Sequence, residues 1–253
     1  MAITFNLRGI TLSRNRAAKA QKRTNQVENT INFNQVVKNQ KKIIDIVPKS
    51  LGQEQLLLKL QKESNHIVVA IGPAGTGKTY IAMQNAIKDF KQGVVKKLIL
   101  TRPAVGVEDE KHGFLPGNIV AKMEPWTRPL LDVLKEHYHP RDIISMIDDG
   151  VIEISPLAFM RGRTFKDSWV IADEMQNATP GQVKMLLTRI GENSRIAVTG
   201  DVEQTDRRIQ DNGLVDVVDR LRQANVLGIE VQEMTRKDIK RHPIIDSILT
   251  MYQ

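Results

Sequence analysis

The chain has 253 residues, 41% hydrophobic and 26% charged, which suits one α/β domain with a proper core. It has no cysteine, so disulfides and thiolate-bound metal are excluded. No apolar run approaches the ~18 residues of a membrane span. Of the net charge of +8, residues 1–46 supply most, with nine Lys/Arg against Glu28 and Asp45. The expected layout is a basic arm over 1–46, partly ordered or disordered, and a nearly neutral globular domain over 47–253. With no basic-then-apolar signal pattern at its start and no cysteine, the protein is expected in a reducing cytoplasm, away from membranes.

In chain order, the arm begins with an alternating piece, Ile3 to Leu12, that fits a short strand. Ser13 to Glu28 mixes Ala17, Ala18 and Ala20 with Arg and Lys on all sides, so a helix there has no apolar stripe to bury. Two readings of the arm stay open, a solvated tail and an electrostatic contact to nucleic acid. Phe5 and Phe33 are its aromatics.

The core begins near Ile43. A helix-like stretch, Glu54 to Glu63, leads into the β-branched run Ile67–Ile71, which reads as a buried parallel strand. The run breaks into Gly72-Pro73-Ala74-Gly75-Thr76-Gly77-Lys78-Thr79, a G-x-x-x-x-G-K-T loop, and a helix-compatible stretch opens at Tyr80. Glycines let successive backbone N–H groups turn inward around a phosphate chain. Lys78 adds a positive charge for the outer phosphates, Thr79 offers a hydroxyl to Mg²⁺, and the helix start turns its dipole toward them. Residues 72–80 are therefore the candidate nucleotide-phosphate site.

Lys97–Thr101 reads as a second strand, stopped by Arg102-Pro103. A long loop with Glu108-Asp109-Glu110 follows, then helical patterns at 119–123, 130–136 and 143–147. Val151–Ile154 is the third strand. Ser168–Ala172 is the fourth and ends in Asp173-Glu174. Thr179-Pro180 looks like a cap and first helical position for 181–190. Arg195–Thr199 is the fifth strand, and Leu214–Leu221 is helical. A short strand at 228–231 and a terminal helix at 243–251 complete the pattern. Alternating strands and helices predict a mostly parallel sheet with helices on both faces, and ligands at the carboxyl ends of its strands.

Three strand ends carry polar groups: the glycine loop, Asp173-Glu174, and Thr199 to Gln204. Asp173 is placed to support Mg²⁺. Glu174 points the opposite way and suits a general base for a water aimed at the γ-phosphate. Gln204, with donor and acceptor atoms, suits a γ-phosphate sensor. A charge-stabilising arginine is expected from Arg241, Arg163 or a neighbour in a ring. His137, His139 and His242 read as structural residues, Trp169 as core, and Trp126 as core or interface.

Together these motifs resemble the PhoH family of phosphate-starvation-inducible P-loop ATPases, related to the core of superfamily 1 helicases. The resemblance covers roughly 45–253. Its landmarks are the 72–79 loop, Thr101-Arg102-Pro103, Gly113 to Gly117, Arg161 to Thr164, Asp173 to Asn177, Gly200 to Gln204 and Arg241-His242. It implies ATP as the nucleotide, Gln53 as an adenine reader, and a ring, hexameric, with Arg241 acting in cis or on a neighbour. Met175 stands in place of alanine, Arg207-Arg208 in place of an apolar-proline pair, and Asn212 in place of serine. The favoured expectation is an Mg²⁺-dependent ATPase coupled to RNA or single-stranded DNA. The rivals are a nucleotide-gated assembly protein and a small-molecule kinase.

Overall fold

A computed structural model describes residues 44–103, 128–204, 211–240 and 251. The expected arm strand, the Ser13 to Glu28 stretch, the 119–123 pattern, Trp126, Arg207-Arg208, Arg241-His242 and nearly all of the terminal helix lie outside these residues. The compact unit that holds the described residues starts at Ile44.

Ser50 caps the first helix, α1 (Leu51–Gln61), accepting the Gln53 N–H at 3.2 Å. The helix therefore starts three residues before the expected Glu54. Leu56, Leu57 and Leu60 are its buried side. β1 (Ile67–Ile71) is buried at every position, as a strand covered on both faces must be. α2 (Lys78–Gln92) runs from the glycine loop to Gly93, whose left-handed backbone closes it. β2 (Lys97–Thr101) follows, then a helical stretch at 128–135 and α3 (Pro140–Asp148), with proline at its first turn.

β3 (Ile152–Ile154) leads into a 3-10 turn, Leu157–Met160. β4 (Ser168–Ala172) ends at Asp173, and a second 3-10 turn spans Met175–Asn177. α4 (Pro180–Leu187) opens on the expected cap, a reciprocal pair in which Thr179 and Gln182 satisfy each other's backbone N–H. β5 (Arg195–Gly200), α5 (Gly213–Gln223), β6 (Ile229–Glu233) and a 3-10 turn at Arg236–Asp238 complete the described chain. Asn212 caps α5, accepting from Leu214 and Val215 N–H at 2.9 and 3.2 Å. Asparagine and serine serve that position equally well, so the departure at 212 leaves the helix start intact.

The six strands lie in the order β3-β2-β4-β5-β1-β6, and every pair is parallel. Alternate residues serve the two faces. Val69, Ile71, Val170, Ala172, Ile196 and Val198 pack with Val183 and Leu186 of α4 and Leu214 and Val218 of α5. On the other face α1 and α2 cover the sheet, where Trp169 is 1% exposed and donates its indole N–H to Asp89 of α2 at 2.7 Å. This is the expected α/β layout with helices on both faces, and the carboxyl ends of β1, β4 and β5 stand side by side.

Candidate nucleotide site

The glycine loop is shaped by contacts that exclude side chains. Gly72 has φ +141°, and a Cβ there would stand 2.3 Å from the Met234 carbonyl oxygen. Gly77 has φ +85° and lies against Gln53, whose Nε2 would be 2.8 Å from an added Cβ. Gln53 is 5% exposed and donates Nε2–H to the Thr76 carbonyl at 2.9 Å, while its Oε1 accepts the Lys49 N–H at 2.8 Å. It braces the loop from behind. The loop is also pinned from β6 and beyond, by Met234 N–H on Ile71 O (2.8 Å) and Lys240 N–H on Gly75 O (3.1 Å).

Lys78 rests its ammonium on the loop, donating to Gly72 O at 2.6 Å and Pro73 O at 2.8 Å. Thr79 donates its hydroxyl to Asp173 Oδ1 at 2.6 Å, and Thr199 of β5 donates to the same oxygen at 2.6 Å. Asp173 Oδ2 accepts from Arg102 Nε at 2.8 Å and from Arg102 Nη2. Asp173 is 3% exposed, and the guanidinium at the end of β2 compensates its charge. Sequence reasoning saw Arg102 as a strand end and as part of the Thr101-Arg102-Pro103 landmark, without a role at the site.

Glu174 follows directly on Asp173, past the end of β4. It is exposed, and its backbone is left-handed at φ +56°, an uncommon setting for a residue with a side chain. Gln176, 2% exposed, donates Nε2–H to Glu174 Oε2 at 2.5 Å and accepts the Asp201 N–H on Oε1 at 3.1 Å. Asp201 in turn accepts the Ala74 N–H of the glycine loop on Oδ2 at 3.0 Å. A continuous path thus joins Glu174, the end of β5 and the loop. The sequence placed Gln176 and Asp201 inside the motifs Asp173 to Asn177 and Thr199 to Gln204, but gave neither a role of its own. Gln204 is exposed in the segment after β5, its N–H on Asp201 O at 3.2 Å.

Tyr80 is 44% exposed, and its hydroxyl donates to Glu136 Oε2 at 3.0 Å. Burial and the Glu136 carboxylate raise the phenol above its ordinary pKa. His137 meets Gln84 Oε1 at 2.6 Å, and its pKa is lowered by burial and by Lys91. His139 caps α3, accepting the Arg141 N–H. Arg163, one arginine candidate, is committed elsewhere: its guanidinium forks onto both Glu153 oxygens and lies 5.2 Å over the Phe165 ring. Arg241 lies outside the described residues, directly after Lys240.

The donor set fits Mg²⁺ beside a phosphate chain. Thr79 would hold the ion through its hydroxyl oxygen and Asp173 would support it, both hard oxygen donors, with phosphate and water supplying the rest. The ion would neutralise charge on the outer phosphates.

The PhoH-like protein family model matches residues 45–253. A PhoH-like protein of Bacillus subtilis is 43% identical over 205 residues, 81% of this chain and 63% of that protein. Protein PhoH of Escherichia coli is 41% identical over 170 residues, 66% of this chain and 48% of that protein. This chain thus spans between 48% and 63% of the length of these two relatives. Among solved structures, the DUF1998 helicase MrfA bound to DNA aligns at TM-score 0.43 and 12% identity, covering 77% of this chain and 26% of that one. Pif1 helicase from Candida albicans aligns at TM-score 0.38 and 13% identity, covering 81% and 44%. Likeness at this level is loose.

Proposed function

The chain belongs to the PhoH-like protein family, and we propose that this P-loop NTPase hydrolyses ATP with Mg²⁺ and couples the hydrolysis to RNA or single-stranded DNA. The division of labour between adjacent carboxylates carries the reading. Asp173 is buried and fully engaged by Thr79, Thr199 and Arg102, whereas Glu174 is exposed at the same strand end and tethered to the loop through Gln176 and Asp201. In this scheme residues 72–80 hold the phosphates and Gln53 borders the base. Lys78 balances phosphate charge, Asp173 supports the ion, Glu174 takes the proton of the attacking water and Gln204 senses the γ-phosphate. Arg241 supplies the last positive charge, within one subunit or across a ring.

An exposed carboxylate suited to activating water supports a hydrolase over a kinase, which must keep water out. A homohexameric ring follows from the family resemblance. The absence of cysteine suits a cytoplasmic setting, and no helix among the described residues is long and apolar enough to cross a membrane.

Steady-state ATP hydrolysis, with and without single-stranded RNA or DNA across a salt series, tests the reading. Stimulation by a polymer that fades with salt is expected, because phosphate contacts release counterions. Turnover indifferent to every polymer would instead favour a nucleotide-gated assembly protein, and no phosphate release at all would sink the ATPase.

A further inference from the structure

The loop between β3 and β4 presents two side chains that the nucleotide site leaves unused. Phe159, in the 3-10 turn after β3, is 60% exposed, although Leu157 and Met160 of the same turn are fully buried. The other described phenylalanines and tryptophan, Phe90, Phe165 and Trp169, are all buried. Two positions on, Arg161 is exposed and has no ion pair or hydrogen bond among the described residues. The contrast with Arg163 is informative. Glu153 is taken by Arg163, which leaves Arg161 without an acidic partner among the described residues, two positions along the chain from the exposed ring.

Single exposed apolar residues are ordinary on a protein surface. Three further observations separate Phe159 from them. It is aromatic where most of the exposed large hydrophobics are aliphatic. It sits at the carboxyl edge of the sheet, in a turn against which α4 packs, and α4 adds the exposed Lys184 while Arg189 donates to the Arg163 carbonyl. And its turn is bonded to the nucleotide site, through the Leu157 N–H on Arg102 O at 3.1 Å, with the Arg102 guanidinium on Asp173.

We propose that Phe159 and Arg161 form a seat for single-stranded nucleic acid, one base stacking on the phenyl face and a neighbouring phosphate pairing with the guanidinium. Such a pair grips a strand with little regard to sequence, since every base offers a π face and every nucleotide a phosphate. Double-stranded polymer keeps its bases stacked inside and offers the ring nothing. The seat also explains how a strand would reach the ATP site: a shift of the turn moves Leu157, hence Arg102, hence the carboxylate that Thr79 shares. This inference rests on the proposed coupling to nucleic acid and gives it a location.

The test is fluorescence anisotropy of a labelled oligouridylate and a labelled oligothymidylate with the full chain, titrated at several salt concentrations. F159A should weaken both on the order of tenfold, the usual worth of one base stack, and leave the salt dependence unchanged. F159W should restore the affinity. R161A should flatten the slope of log affinity against log salt by about 0.7, the share of one phosphate on a single strand. Matching thermal unfolding midpoints check that the exposed substitutions leave the fold alone. If the unmodified chain binds while F159A keeps its affinity and R161A its slope, the seat lies elsewhere and the coupling stands. If the unmodified chain binds neither oligomer at any salt, the coupling falls, and the seat with it.

Discussion

Gln176 holds the Glu174 carboxylate at 2.5 Å with one end of its amide and the Asp201 backbone N–H at 3.1 Å with the other. The fit is close enough that a Cβ on Gly200 would stand 2.6 Å from Gln176 Oε1. A buried amide satisfied at both ends in this way fixes where the exposed carboxylate points. Replacing it by methionine keeps the bulk and removes the tether. Gln176→Met should lower ATP turnover about tenfold or more while nucleotide affinity changes little, at a stability cost of about 1–3 kcal/mol for the orphaned Asp201 N–H. The decisive measurement is a double-mutant cycle: with Glu174→Gln already in place, Gln176→Met should cost almost no further turnover. Additive losses would leave Gln176 a packing residue only.

Glu174→Gln keeps the side-chain shape and removes the base. ATP affinity, read by equilibrium binding of a labelled nucleotide, should be nearly intact, and turnover should fall on the order of 10²–10⁴-fold. Asp173 offers the contrast, because its charge is buried against Arg102. Asp173→Ala strands that guanidinium and should cost stability as well, about 3–5 kcal/mol. Equal losses of binding and turnover in Glu174→Gln would remove it from the role of base.

What was legible in the sequence was local. The glycine loop, the buried strands and the Thr179-Pro180 cap each announce themselves within a dozen residues, because backbone geometry and strand burial impose patterns at that range. The contacts that tune the site are not local. Arg102 and Asp173 are 71 residues apart, and Asp201 and Ala74 are 127 apart. They meet only because β2 neighbours β4 and β5 neighbours β1, an order that no local pattern specifies. Arg163 shows the same limit. Nothing in Arg161-Gly162-Arg163 says which arginine is spent, until β3 brings Glu153 alongside. The edge strand β6 reaches Glu233 instead of stopping at 231, since its polar residues 232 and 233 broke the apolar run used to find it.

Gly72 tests the loop by backbone alone. Its φ of +141° is costly for any side chain, and an alanine Cβ would fall 2.3 Å from Met234 O, a backbone atom held by the Met234 N–H on Ile71 O. Gly72→Ala should therefore destabilise the fold by more than about 1 kcal/mol and weaken nucleotide binding, with the loop forced off β6. Calorimetric unfolding with and without nucleotide reads both effects. A variant as stable as the parent, with unchanged nucleotide-induced stabilisation, would mean the loop can take another path.

Asp238 makes stability depend on pH through one carboxylate. It is 7% exposed and accepts the Gly52 N–H at 2.9 Å and the Thr235 N–H at 2.8 Å, tying the first turn of α1 to the segment that reaches the loop at Gly75. Burial alone would raise its pKa, but the hydrogen bonds from Thr235, Ser50 and Gly52 outweigh it and the carboxyl is lowered. A carboxyl with a depressed folded pKa contributes stability that is present above the unfolded value, near ~3.9, and is lost as pH falls through the lower folded value. Asp238→Asn should thus cost about 1.5–3 kcal/mol at pH 7, the worth of hydrogen bonds to a charged group, and lower the unfolding midpoint by several degrees. The gap between parent and variant should persist down to about pH 4 and narrow below it, as the parent protonates. Thermal unfolding across that range decides the matter: a gap of constant size from neutral to strongly acidic pH would show that shape, and not charge, holds this corner together.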